Sequence, residues 1–156
     1  MVGKMIEEQE SRKAKNHIAV LLHELTLTYH RFTVIASRER GVGVTDLLAL
    51  GYLRDKGALS AGALGESLGL ASASMTALLD RLERAGYARR QPHANDRRSV
   101  MVELTAAGRA EVGTLFDLLG SDVATALGNT SPAELEAVAR FLDEITNCFD
   151  RRITKH

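Results

Sequence analysis

The chain has 156 residues, long enough for one ordinary domain or two small lobes that bury a real core. Its 45% apolar and 26% charged residues exclude a disordered chain, and an aromatic share of only 4% favours a helical interior of Leu, Val, Ile and Ala over a β-sandwich. A formal net charge of zero excludes a uniformly basic coat, so any polyanionic partner has to be met by local clusters of Lys and Arg.

In chain order, the first ten residues are expected to fray. Ile18, Leu21, Leu22, Leu25, Tyr29, Phe32 and Ile35 then recur at helical steps and predict a long amphipathic helix. Gly41 and Gly43 interrupt it, and Thr45 is the expected cap of a second helix through Leu47 and Leu53 that Lys56-Gly57 ends. Ser60 caps a short third helix carrying Ala61, Leu64 and Leu68, and Gly69 closes it. Ser72 opens a fourth with Met75, Leu78, Leu79 and Leu82 on one stripe, ended by Ala85-Gly86. Short helix, glycine turn and longer helix make the helix-turn-helix plan.

After Gly86 the period becomes alternating. Tyr87, Arg89 and Gln91, followed by Val100, Val102 and Leu104, are expected to face one way, with Met101 and Glu103 on the other side of a two-stranded hairpin. The loop from Pro92 to Ser99 holds no apolar side chain larger than Pro, so it is expected to reach into solvent or onto a partner. Thr105 caps a fifth helix through Val112, Leu115, Phe116, Leu119, Val123 and Leu127. Ser131-Pro132-Ala133-Glu134 is a capping box that starts a sixth, with Leu135, Val138, Phe141, Leu142, Ile145 and Phe149.

The fold expected is mainly α with a small β-hairpin wing. It comprises a winged helix-turn-helix lobe over 44–104 and a helical dimerisation lobe from 11–40 and 105–152. Six arginines (Arg81, Arg84, Arg89, Arg90, Arg97 and Arg98) concentrate positive charge on the fourth helix and the hairpin despite the neutral total. One helix shaped to enter a DNA groove beside an arginine-tipped loop implies a DNA binder. A helix-turn-helix alone reads few base pairs, so a homodimer reading two half-sites about 34 Å apart is expected, paired through the first, fifth and sixth helices.

On the fourth helix, turning the Leu stripe inward points Ala73, Ala77, Asp80 and Arg84 outward, with Ser74, Thr76 and Arg81 on the flanks. Ser74 and Thr76 can hydrogen-bond base edges, Ala73 and Ala77 can touch a thymine methyl, and Arg81 or Arg84 can meet phosphate. Ser72 serves equally as a cap, and Asp80 can pair with Arg84 one turn on.

The run LGESLGLASASMTALLDRLERAGYARRQPHANDRRSVMVELTAAG, above all LLDRLERAGY and NDRRSVMVELTAAG, resembles the heart of the MarR (multiple antibiotic resistance regulator) family of bacterial transcription factors. The resemblance implies a cytoplasmic homodimer that binds pseudo-palindromic promoter DNA, usually represses, and responds to an effector, commonly a small aromatic or phenolic molecule and in some members an oxidant or a metal. It also implies a recognition helix from Ser72, which takes in Ser72, Ala73, Ser74, Thr76, Ala77, Arg81 and Arg84, and a wing tip of Asp96, Arg97 and Arg98. In the family's Asp-x-Arg wing pattern Arg98 enters the minor groove and Asp96 holds it; arginine suits the strong negative potential of a narrow groove. Where many members carry an arginine, this chain has Ala77. Specificity is therefore expected to lean on DNA shape, with A·T-rich flanks.

Tyr29, His30 and Phe32 are loose candidates for an effector pocket. His17, His23 and His30 lack the i, i+4 ligand pairing, so no metal and no cofactor is expected. Cys148, the only cysteine, excludes an intrachain disulfide; its neighbours Asn147, Phe149 and Asp150 supply no cation, and it reads as a buried packing residue. The start, MVGKMIEEQESRKAKN, lacks the apolar core of a signal peptide, and no apolar run approaches the ~20 residues of a membrane span. With no phosphate loop, nucleophile elbow or zinc-protease His pair, an enzyme is not expected. The alternative function is a winged-helix module that binds protein and no specific DNA.

Overall fold

A computed structural model describes residues 2–92 and 100–153. Six helices and three strands follow in the order α1 (Val2–Arg40), α2 (Val44–Lys56), β1 (Leu59–Ser60), α3 (Ala61–Leu68), α4 (Ser72–Arg84), β2 (Ala88–Pro92), β3 (Val100–Leu104), α5 (Ala106–Ala126) and α6 (Pro132–Ile153). This is the expected winged helix-turn-helix class, mainly α with a small antiparallel sheet. The chain forms two compact units, Met1–Gly113 and Thr114–His156. No helix among the described residues is long and apolar enough to cross a membrane.

Three details of the sequence reading change. The expected fraying of the first ten residues does not hold, because α1 runs unbroken from Val2. The α2 cap is Gly43, not Thr45, and it makes no side-chain hydrogen bond; likewise Ala71 precedes α4 without a side-chain cap, and Ser72 is already helical. The third strand, β1, is only Leu59–Ser60, too short for an alternation to show; it pairs with β3, giving the order β1-β3-β2.

The first unit is built around Leu50, Leu64, Leu78, Leu82, Val102 and Val112, all essentially inaccessible. In the hairpin, Ala88 opposes Leu104 and Arg90 opposes Val102. The buried face is therefore Ala88, Val102 and Leu104, while Arg89 and Gln91 lie on the opposite face and both donate to Glu103. Val100, expected inside, is 41% exposed near the strand's open end.

Two junctions fix the ends of this lobe. The last turn of α1 meets α5 through an ion pair, Arg40 Nε to Glu111 Oε1 at 3.3 Å. At the start of α5 the Thr105 hydroxyl donates to the Gly86 carbonyl at 2.6 Å and accepts from the Gly108 N–H at 3.0 Å, and the Thr105 N–H donates to the Tyr87 carbonyl. The expected cap at Thr105 is thus present, and it also ties α5 to the turn after α4.

In the second unit, the capping box forms as the sequence implies: Ser131 N–H and Oγ both donate to Glu134 Oε2, at 2.9 and 2.5 Å. Those bonds, from the hydroxyl first and the backbone second, hold the Glu134 carboxyl below its ordinary value. A depressed carboxylate stabilises the fold above its unfolded pKa, and that contribution is lost as pH falls through the folded value. Glu134→Gln is therefore expected to lower the thermal midpoint at pH 7, with the difference from wild type shrinking as pH falls through the folded carboxyl's value; a difference that does not shrink with falling pH contradicts the assignment. Further along α6, Cys148 is half-buried and not sealed in packing, and its sulfur accepts from Arg151 Nη2 at 3.1 Å, one turn on and beyond the neighbours read from sequence.

Candidate nucleic-acid interface

The Ser60 hydroxyl caps α3 by accepting from the Ala63 N–H at 3.1 Å. Gly69 ends the helix in the left-handed region at φ 64°, a conformation a side chain disfavours, and its N–H closes back onto Glu66 and Gly65. The chain can then reverse within three residues and start α4, whose Met75, Leu78, Leu79 and Leu82 are 1–4% exposed. The inward stripe read from spacing is the one observed. Ser72, Ala73, Ser74, Thr76, Ala77, Asp80, Arg81 and Arg84 are all exposed on the rest of the helix. The outward surface is therefore low and studded with hydroxyls, a shape that lets a helix approach base edges closely. The Thr76 hydroxyl is partly engaged, donating to the Ser72 carbonyl at 3.1 Å.

Both edges of α4 are held by arginines. On one edge Arg81 reaches α2: its Nε lies 3.0 Å from Asp46 Oδ2 and its Nη2 2.7 Å from Oδ1, a two-point fork on a carboxylate that is only 5% exposed. The hydrogen bond to Asp46 raises the Arg81 pKa above its ordinary value. On the other edge Arg90 of β2 pairs with Asp80 at 2.8 Å and with Glu83, and donates to the Thr76 carbonyl at 3.2 Å. Partial burial works against the Arg90 charge, but the bonds to Asp80 and Glu83 outweigh it and raise its pKa. Asp80 therefore pairs across to the hairpin and not with Arg84 along its own helix.

Sequence reasoning missed both networks. Helical periodicity relates residues three or four apart and is silent on partners 35 apart, as Asp46 and Arg81 are. The one available signal for Arg90 was alternation, which sets it on the same face as the buried Ala88.

The wing residues Asp96, Arg97 and Arg98 lie outside the described residues. Tyr29 and Phe32 of α1 are in tilted contact, ring centroids 6.3 Å apart, and each is 38% exposed; His30 beside them is exposed as well.

The sequence profile of the MarR family matches residues 44–100, which span α2 to the start of β3. Over 130 residues the chain is 31% identical to the HTH-type transcriptional regulator YcgE of Bacillus subtilis, itself uncharacterized, covering 83% of this chain and 82% of that one. The chain belongs to the MarR family. Among solved structures, a MarR family protein from Bacillus stearothermophilus is similar at a TM-score of 0.71 and 22% identity, covering 89% of this chain and 97% of the other. A mutant MarR from Escherichia coli, solved in complex with operator DNA, is similar at a TM-score of 0.56 and 24% identity, covering 80% of this chain and 90% of the other. At these identities the structural likeness establishes a shared fold. Membership of the MarR family makes this chain a helix-turn-helix transcriptional regulator and not an enzyme.

Proposed function

We propose that this MarR-family chain is a cytoplasmic homodimer that binds a pseudo-palindromic operator, represses transcription, and is released by a small aromatic or phenolic effector. The observation that carries the proposal is α4, a helix anchored by a Leu stripe beneath and presenting Ser72, Ala73, Ser74, Thr76, Ala77 and Arg84 outward. Small and hydroxyl-bearing residues there suit a helix seated in the major groove, with Arg84, the last residue of the helix, placed to meet phosphate. The solved E. coli MarR bound to operator DNA supports the same use of the fold.

The hairpin between β2 and β3 would act as the wing, carrying Asp96, Arg97 and Arg98 to the adjacent minor groove, with Arg98 inserted. Arg98→Ala is expected to weaken operator binding by about 1–3 kcal/mol while the protein keeps its oligomeric state. Unchanged affinity removes the wing from the interface.

The terminal helices supply the argument for a dimer. No residue of α6 is buried within the chain, and its Leu135, Val138, Phe141, Leu142 and Phe149 are 38–54% exposed; Leu21 and Leu25 of α1 are about half exposed too. Rows of apolar side chains left in water mark an association surface. In this reading 11–40 and 105–152 form the dimerisation lobe and 44–104 the DNA-reading lobe, and Tyr29, His30 and Phe32 line the effector's approach. Truncation before Pro132 is expected to give monomer or aggregate by light scattering, and a soluble, DNA-competent product contradicts the dimer assignment. Effector release needs only that the ligand favour a dimer shape that fits the operator poorly, so no chemical step is involved.

A further inference from the structure

Among the described residues Asp46 is the one buried carboxylate. We infer that Asp46 and Arg81 form an internal clamp that sets the recognition helix on its lobe, and that Arg81 works on Asp46 and not on a DNA phosphate. The inference rests on the DNA-binding reading above and assigns both residues a positioning role in it.

Four observations carry it. The Arg81 fork is already used: Nε and Nη2 meet the two oxygens of one carboxylate, the geometry in which an arginine gains most from a planar acceptor. Asp46, for its part, sits in the first turn of α2, where unpaired N–H groups favour a negative charge, and Gly43 leaves it room, since a Cβ there would stand 3.2 Å from Oδ2. A carboxylate so placed is tolerable with Arg81 and costly without it, because removing one partner leaves a buried charge uncompensated.

Position along the helix keeps Arg81 off the bases. A recognition helix meets base edges with its N-terminal residues, and Arg81 lies in the last turn of α4, about 13 Å along the axis from Ser72. The fork on Asp46 is what distinguishes it from Arg84. The opposite edge is held independently by Arg90 on Asp80, Glu83 and the Thr76 carbonyl. With both edges fixed the helix cannot roll on its apolar stripe. A roll of about 10° would move a side chain ~5 Å from the axis by ~1 Å, beyond the ~0.5 Å within which a binding constellation stays productive. The clamp therefore sets specificity: it keeps Ser74 and Ala77 in register with the bases without touching them.

The test uses the full chain and a duplex enriched by it from random DNA, with a scrambled duplex as control. Kd is measured across a salt series for wild type, Asp46→Asn, Arg81→Ala, Arg81→Lys and the Asp46→Asn/Arg81→Ala double variant, and the thermal midpoint of each confirms folding. The clamp predicts that each single variant loses about tenfold on the enriched duplex and little on the scrambled one. It further predicts that the double variant loses no more than either single, and that the salt slope stays that of wild type. Lysine can replace an arginine on a phosphate but cannot reproduce the fork, so Arg81→Lys should fail as alanine does. A phosphate contact gives the opposite pattern and overturns the inference: Arg81→Ala weakens both duplexes and lowers the salt slope by about 0.9, Arg81→Lys is near wild type, and Asp46→Asn is silent. Should wild type enrich no sequence at all, it is the DNA-binding reading that falls, and the clamp's role falls with it.

Discussion

Gly108→Ala is expected to destabilise the chain by about 3 kcal/mol or more, although a glycine in a helix ordinarily costs about 0.5–1 kcal/mol relative to alanine. The reversal of sign comes from one contact. A Cβ at position 108 would stand 1.9 Å from the Tyr87 carbonyl oxygen and 2.8 Å from its carbon, and both belong to backbone that cannot swing aside. That carbonyl is already fixed by the Thr105 N–H at 3.0 Å, and the Thr105 hydroxyl bridges the Gly86 carbonyl and the Gly108 N–H. Relieving the clash means lifting α5 off the turn that follows α4, and with it the bonds of Thr105. Gly113→Ala on the same helix meets nothing within 4 Å and serves as the control, expected to be neutral or stabilising. Urea unfolding of the two variants decides the matter; a Gly108→Ala midpoint at or above that of wild type contradicts the account of this junction.

Leu78→Ala is expected to cost about 2–5 kcal/mol and to abolish operator binding at temperatures where wild type is half-saturated. Leu78 is 1% exposed and sits mid-helix on α4 among Met75, Leu79 and Leu82, so its loss opens a cavity directly beneath the proposed recognition surface. Its neighbour Ala77 points outward, and Ala77→Ser should leave the unfolding midpoint within about 0.5 kcal/mol of wild type while changing which sequences bind. The pair separates the two faces of one helix: the inner position reads out in stability first, the outer in specificity alone. Equal stability losses at both positions would sink that division.

Much of the fold was legible because its helices bury one stripe against one core, and the spacing of Met75, Leu78, Leu79 and Leu82 or the Gly69 turn records that directly. The capping residues that could be read were those with a reachable N–H: Ser60, Thr105 and Ser131 all act as expected, whereas Thr45 and Ser72 lie inside their helices, as the second and the first helical residue. What could not be read was pairing between elements. Asp46 looked like any polar residue at a helix start, and nothing local says that Arg81 would fold back on it. The hairpin's inner face was also mis-set. Tyr87, Arg89 and Gln91 were grouped with Val102 and Leu104, but the register aligns Ala88 with Leu104, and only cross-strand partners determine that. The candidate site divides the same way: the outward row on α4 followed from periodicity, while the two arginine networks that hold the helix required the folded chain.

The claim that this MarR-family chain reads DNA is tested most directly by fluorescence-anisotropy titration of the purified protein. The labelled duplexes are the DNA upstream of its own gene and a scrambled copy, titrated across a salt series. The account predicts tighter binding to the upstream duplex and an affinity that falls steeply as salt rises, because phosphate contacts release counterions. Binding to neither duplex, or binding that salt does not weaken, would contradict it and put a protein-interaction role for the winged helix in its place.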